Sequence, residues 1–162
     1  MNNAPLKSHY ALSTETINSF KQRGHCVVRN LASHEEITTY KNAIDEATME
    51  RRWDKRPIEE RDTYGKAFIQ SAALCNHSDK VKEFVFAQRF ARVAAELLGV
   101  DGVRLYHDQA LYKEPGGGFT PWHQDQVYWP LNTDRTITMW MPTIDVPSEI
   151  GGVVFANESW RD

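Results

Sequence analysis

The chain has 162 residues, of which 41% are hydrophobic and 25% charged. That composition fits one globular domain and excludes a disordered chain, a collagen-like repeat or a disulfide scaffold. Nineteen Lys and Arg face 22 Asp and Glu, for a formal net charge of −3, so the basic excess that non-specific nucleic-acid binding relies on is missing. No apolar run approaches the ~20 residues of a membrane helix. The opening MNNAPLKSHY lacks the apolar stretch of a secretory signal. Cys26 and Cys75 stand far apart with no CxxC pattern, and the expected compartment is the reducing cytoplasm.

Residues 1–99 read as mostly helical. Ser13 and Thr14 can cap a first helix carrying Ile17 and Phe20, and Gly24 can end it. His25–Arg29 has the look of a short strand. Ser33 and Glu36 form a capping box ahead of Ile37, Tyr40, Ile44 and Ala47, which fall on one face at helical spacing. Residues 50–66 hold six bases and five acids. They read as a solvated segment, with a mobile lid as the functional alternative, and Trp53 within them is expected to be covered. Ser78 and Asp79 can cap a helix over 80–98, whose stripe from Val81 to Leu98 reads as core and which Gly99 ends.

Residues 100–162 change texture to four bases against nine acids. Val103–Tyr106, Ala110–Lys113, Thr136–Met141 and Ile150–Ala156 read as strands, and Glu114–Gly118 as a turn. The expectation is an α+β single domain, helical first and β-rich after.

The chemistry gathers at Trp122-His123-Gln124-Asp125. In a strand, positions i and i+2 share a face, so His123 and Asp125 would set an imidazole beside a carboxylate. Those two donors with one further His make the facial triad of non-haem Fe(II). Three positions on the metal then stay open for a bidentate oxo-acid and O2. By itself His-x-Asp also fits a structural hydrogen-bonded pair. The surrounding Lys113, Trp122, Gln126, Tyr128 and Trp129 are more polar and aromatic than a plain core.

In this setting the segments Tyr106–Gly118 and Pro121–Leu131 resemble the phytanoyl-CoA dioxygenase family, and the strand ending in Trp140 and Glu149–Phe155 continue the resemblance. Phe20, Gly24 and His25–Val28 are similar to the family's opening helix and strand. The resemblance implies an Fe(II)/2-oxoglutarate-dependent dioxygenase on a double-stranded β-helix, or jelly-roll, core of cupin type with helices packed on it. It implies His123 and Asp125 as metal ligands, Lys113 and Trp140 as cosubstrate contacts, and Gln109 as a further one. Gln126, Tyr128 and Trp129 are pocket candidates. The carboxylate at position 125 points to hydroxylation, since related halogenases carry a small residue there. The implied partners are O2 and a small organic substrate, with no nucleic acid and no membrane.

The family's third ligand is a downstream His followed by an Arg that grips 2-oxoglutarate. The histidines here are His9, His25, His34, His77, His107 and His123, so none follows the motif. Phe155–Trp160 stands where the family has its His-bearing turn. The expectation is therefore a family domain incomplete at its C-terminal side, with exposed sheet edges that favour self-association. His107 reads as a structural histidine and Arg135 as solvated. The alternative function is an inactive relative or binding module, with a cupin-like isomerase or hydrolase behind it.

Overall fold

A computed structural model describes residues 6–117 and 119–161; Gly118, the last residue of the expected turn, lies outside the described residues. The chain divides into two compact units, one of Met1–Ser33, Ala87–Arg104 and Trp122–Asp162, the other of His34–Phe86 and Leu105–Pro121. This division does not follow the helical and β-rich halves read from the sequence.

The unit of His34–Phe86 and Leu105–Pro121 is built around helix α2, His34–Arg51, which starts directly after the expected cap at Ser33. Tyr40, Ile44 and Ala47 are buried as their spacing predicts, and Thr48 joins them. The Thr48 hydroxyl donates to the Ile44 carbonyl at 2.6 Å, which lets a polar side chain sit in the core. Strand β1, Phe68–Ala72, pairs antiparallel with strand β2, Gln109–Lys113, in the register Phe68↔Lys113 through Ala72↔Gln109. The Ser71 hydroxyl donates 2.9 Å to the Thr48 carbonyl and fastens the sheet to α2.

Helix α3, Thr63–Ala67, leads into β1. A 3-10 turn over Leu74–Asn76 follows it, and both Leu74 N–H (2.8 Å) and Cys75 N–H (3.3 Å) donate to the Asp108 carboxylate. Helix α4, Asp79–Val85, is capped by Ser78, whose hydroxyl accepts from Val81 N–H at 3.3 Å. It packs on α2, where Tyr40 donates 3.0 Å to Glu83 and lies under the Lys80 ammonium at 4.6 Å.

The other unit pairs helix α1, Thr14–Arg23, with helix α5, Gln88–Leu98. Ser13 caps α1 by accepting from Thr16 N–H at 3.1 Å, and Gly24 ends it at φ 81°. Phe90, Val93 and Leu97 form the buried stripe of α5, with Leu6 and Leu31 also buried. Arg89 binds this unit together: it donates to the Leu31 carbonyl at 3.0 Å and to the Ser8 carbonyl at 3.2 Å.

Several expectations are corrected. The single helix expected over 80–98 is two helices, broken at Phe86 and Ala87, where the chain also passes from one unit to the other. The helical period continues across the break, so apolar spacing alone cannot show it. Strand β1 went unseen because only its Phe68–Ile69 start is strongly apolar. Of the expected strands only 110–113 forms, extended by one residue at its start. His25–Arg29, Val103–Tyr106, Thr136–Met141 and Ile150–Ala156 are not strands. A strand is completed by a paired neighbour, and among the described residues no strand pairs with these segments. Their apolar side chains stay exposed, as with Met139, Trp140, Val153, Val154 and Phe155. Among the described residues the architecture is mixed helix and strand, with a two-stranded antiparallel sheet. Trp53 is 63% exposed where a covered side chain was expected; its backbone N–H donates to the Gln70 carbonyl at 2.9 Å. No helix among the described residues is long and apolar enough to cross a membrane.

Candidate functional site

His123 and Asp125 do not lie on a strand. Asp125 opens a 3-10 turn, Asp125–Tyr128, directly after Gln124. Gln124 is nonetheless extended at φ −109° and ψ 128°, and one extended residue is enough to turn its two neighbours to the same side. His123 Nε2 consequently lies 3.2 Å from Asp125 Oδ1, with both side chains partly exposed. The Tyr128 ring meets the His123 ring edge-on, centroids 5.7 Å apart.

This pair fits a divalent metal. Two ligands each about 2.1 Å from a first-row ion at a right angle stand about 3.0 Å from each other, close to the observed spacing. Imidazole with carboxylate is also a donor set that iron accepts. Among the described residues no third His, Cys, Asp or Glu joins the pair. His107 belongs to the other unit and packs against the Tyr106 ring at 5.1 Å.

Neighbouring side chains hold the motif in place, and two of them, Thr136 and Thr138, carried no expectation from the sequence. Thr138 donates from Oγ1 to Asp125 Oδ2 at 3.1 Å. Gln126 donates from Nε2 to the Thr133 carbonyl at 3.0 Å and accepts from Thr136 Oγ1 at 3.0 Å. The available signal was the polar phase of Thr136-Ile137-Thr138-Met139, which aligns Thr136 and Thr138. On the other flank, Gln124 Nε2 donates 2.5 Å to the Ser159 carbonyl. Ser159 opens a 3-10 turn, Ser159–Arg161. Next to it Glu158 N–H donates 2.9 Å to the Arg23 carbonyl, while Phe155 stacks on His25 at 5.1 Å. Trp129 is half-buried, and its N–H donates to the Gln126 carbonyl at 3.2 Å. The Trp140 indole is 47% exposed in this same unit.

Gln109 and Lys113 lie in the other unit, on β2. Burial alternates along β2, so Gln109, Leu111 and Lys113 share its exposed face while Ala110 and Tyr112 point inward. Lys113 sits opposite Phe68 with its ammonium 4.7 Å from the ring centroid. On the inward face Tyr112 donates to Asp45, and burial with that carboxylate pushes its ionisation up. After β2 the chain turns back on α3: Glu114 N–H donates to the Ala67 carbonyl at 3.0 Å. A Cβ at Gly117 would lie 2.7 Å from Ala67 Cα, so only glycine fits that approach. Arg61 reaches Glu114 at 3.2 Å and closes the turn.

No solved structure matches this chain. The sequence model of the family described as Phytanoyl-CoA dioxygenase (PhyH) matches residues 20–159, a stretch that holds α2 to α5, both strands and the His123–Asp125 pair with Thr138. With most of its length so matched, the chain belongs to the phytanoyl-CoA dioxygenase family.

Proposed function

We propose that this protein is an Fe(II)/2-oxoglutarate-dependent oxygenase of the hydroxylating type, acting on a small organic substrate. The observation that carries the reading is the 3.2 Å approach of His123 Nε2 to Asp125 Oδ1 inside the matched stretch. These two residues would hold the iron. When bound, iron with 2-oxoglutarate supplies O2-driven oxidation of a C–H bond, coupled to loss of CO2 from the cosubstrate and release of succinate.

The chain's own residues do the binding and shielding. The Lys113 ammonium is proposed to offset a cosubstrate carboxylate, with the Gln109 carboxamide on the same face of β2 as a second contact. Trp140 is proposed as an aromatic wall for the cosubstrate. Gln126, Tyr128 and Trp129 are proposed to border the substrate, Tyr128 through its ring edge against His123. The family's cupin-like fold is the architecture to which the alternating segments 136–141 and 150–156 are proposed to contribute. The proposed setting is the cytoplasm, which the unpaired thiols of Cys26 and Cys75 suit.

One observation favours a second reading. Among the described residues the pair gains no third protein donor, which suits a binding module that holds ligand without turnover. Anaerobic titration with Fe(II) and 2-oxoglutarate tests the first step of both readings. The oxygenase reading expects a weak visible charge-transfer band in the folded protein, abolished by His123→Ala and by Asp125→Ala. A folded protein without the band, or variants that keep it, overturns the metal site. Succinate release on admitting O2 separates the oxygenase from the binding module.

A further inference from the structure

We propose that Thr138 is the positioning residue of Asp125, deciding which carboxylate oxygen is presented beside His123. This rests on the reading of His123 and Asp125 as metal ligands. A carboxylate has two equivalent oxygens, and rotation about its last side-chain bond exchanges them. Here the two are distinguished. Oδ1 stands 3.2 Å from His123 Nε2, and Oδ2 accepts from the Thr138 hydroxyl at 3.1 Å. A hydroxyl that holds Oδ2 keeps Oδ1 on the imidazole side.

Thr138 can do this because its own segment is fastened. Two residues earlier the Thr136 hydroxyl donates 3.0 Å to Gln126 Oε1, and Gln126 Nε2 returns a 3.0 Å bond to the Thr133 carbonyl. Gln126 directly follows Asp125 in the chain. The loop from 127 to 135 is therefore closed at its base by side-chain bonds, with Thr138 brought onto the carboxylate just beyond the clip. Ligating carboxylates are ordinarily held in this way, and losing such a partner costs about 10–100-fold in metal affinity. Thr138 is exposed, so removing one hydroxyl leaves the buried core untouched.

The test uses the whole chain, with Co(II) alone as the probe and its visible absorption as the readout. Thr138→Val is expected to weaken Co(II) binding by about 10–100-fold and to change the shape of the Co(II) spectrum, because the carboxylate is then free to bind through either oxygen. Thr138→Ser restores the hydroxyl and should restore both affinity and spectrum. Thr136→Val loosens the clip but keeps the Thr138 hydroxyl on Asp125, and should weaken Co(II) binding less than Thr138→Val and leave the shape of the spectrum unchanged. Far-UV circular dichroism verifies the fold, and Thr138→Ala replaces the valine variant if that one does not fold.

Unaltered Co(II) affinity and spectrum in Thr138→Val, with binding lost in Asp125→Ala, overturns the inference and leaves the metal site standing. An equal loss in Thr136→Val also overturns it, since the effect would then be general loosening. If the unaltered protein does not bind Co(II), or if both His123→Ala and Asp125→Ala still bind it, the metal site falls and the inference falls with it.

Discussion

Gly24 lies directly against the indole of Trp160. A Cβ at position 24 would overlap Trp160 Cδ1, and Gly24 also carries φ 81°, a backbone state that side chains disfavour. The C-cap of α1 is thus also the seat on which the segment after Asn157 rests. Gly24→Ala is expected to destabilise the protein by about 1–3 kcal/mol, read by denaturant unfolding. Adding Trp160→Ala removes the overlap but leaves the backbone strain. The double variant should recover part of the loss, and strict additivity would show that the two residues do not meet.

The Arg61–Glu114 pair joins the charged run to the turn after β2. Its 3.2 Å contact is largely shielded, with side-chain exposures of 10% and 18%. Arg61 further donates to the Arg56 carbonyl at 2.9 Å. Arg61→Ala is expected to cost about 1–3 kcal/mol, more than Glu114→Gln, which keeps an acceptor for the guanidinium. The Arg56–Asp54 pair is the contrast. Hydrogen bonds from Arg56 hold the Asp54 carboxyl down at about 2, yet the pair lies in water. Arg56→Ala should leave the denaturant midpoint nearly unchanged.

Cys75 is buried beside Asp108, and burial, then the hydrogen bond and charge of that carboxylate, push its thiol from the ordinary 9.0 to about 11. The folded state holds this proton more tightly than the unfolded chain does. The contribution to stability is whole below pH 9.0 and is lost as pH rises through about 11. Tyr40, raised from 10.0 to about 12 by burial and Glu83, extends the decline in the same direction. Unfolding free energy measured from pH 8 upward should fall across this window, and Cys75→Ala should flatten its lower part. At pH 8 Cys75 should also resist alkylation while the protein stays folded.

Lys113 is proposed to meet a cosubstrate carboxylate. Lys113→Met should raise the KM for 2-oxoglutarate by about 10-fold or more, the size of a charge-assisted hydrogen bond, with kcat changed far less. Lys113→Arg should recover much of the affinity. An unchanged KM in the methionine variant would remove Lys113 from that role and leave it as the cross-strand partner of Phe68.

Local signals were legible where local chemistry decides. Ser13, Ser78 and Gly24 bound helices as their residue types require, and Tyr40, Ile44 and Ala47 face the core at helical spacing. His123 and Asp125 come together as their spacing predicts, although a single extended residue does what a strand was expected to do. The alternation in 136–141 and 150–156 was legible too, but alternation states only which side chains share a face.

By itself, the sequence determined where α1, α2 and α4 begin and where α1 and α5 end, the apolar faces, the pairing of His123 with Asp125 and the family. The tertiary structure alone decided which strands exist, because a strand is completed by a neighbour's amides and carbonyls and not by its own residues. It brought Phe68–Ala72 onto Gln109–Lys113 across some forty residues of chain, split the helix at Phe86–Ala87, and set Thr138 on Asp125. Each of these contacts joins residues whose meeting depends on the path of the chain between them.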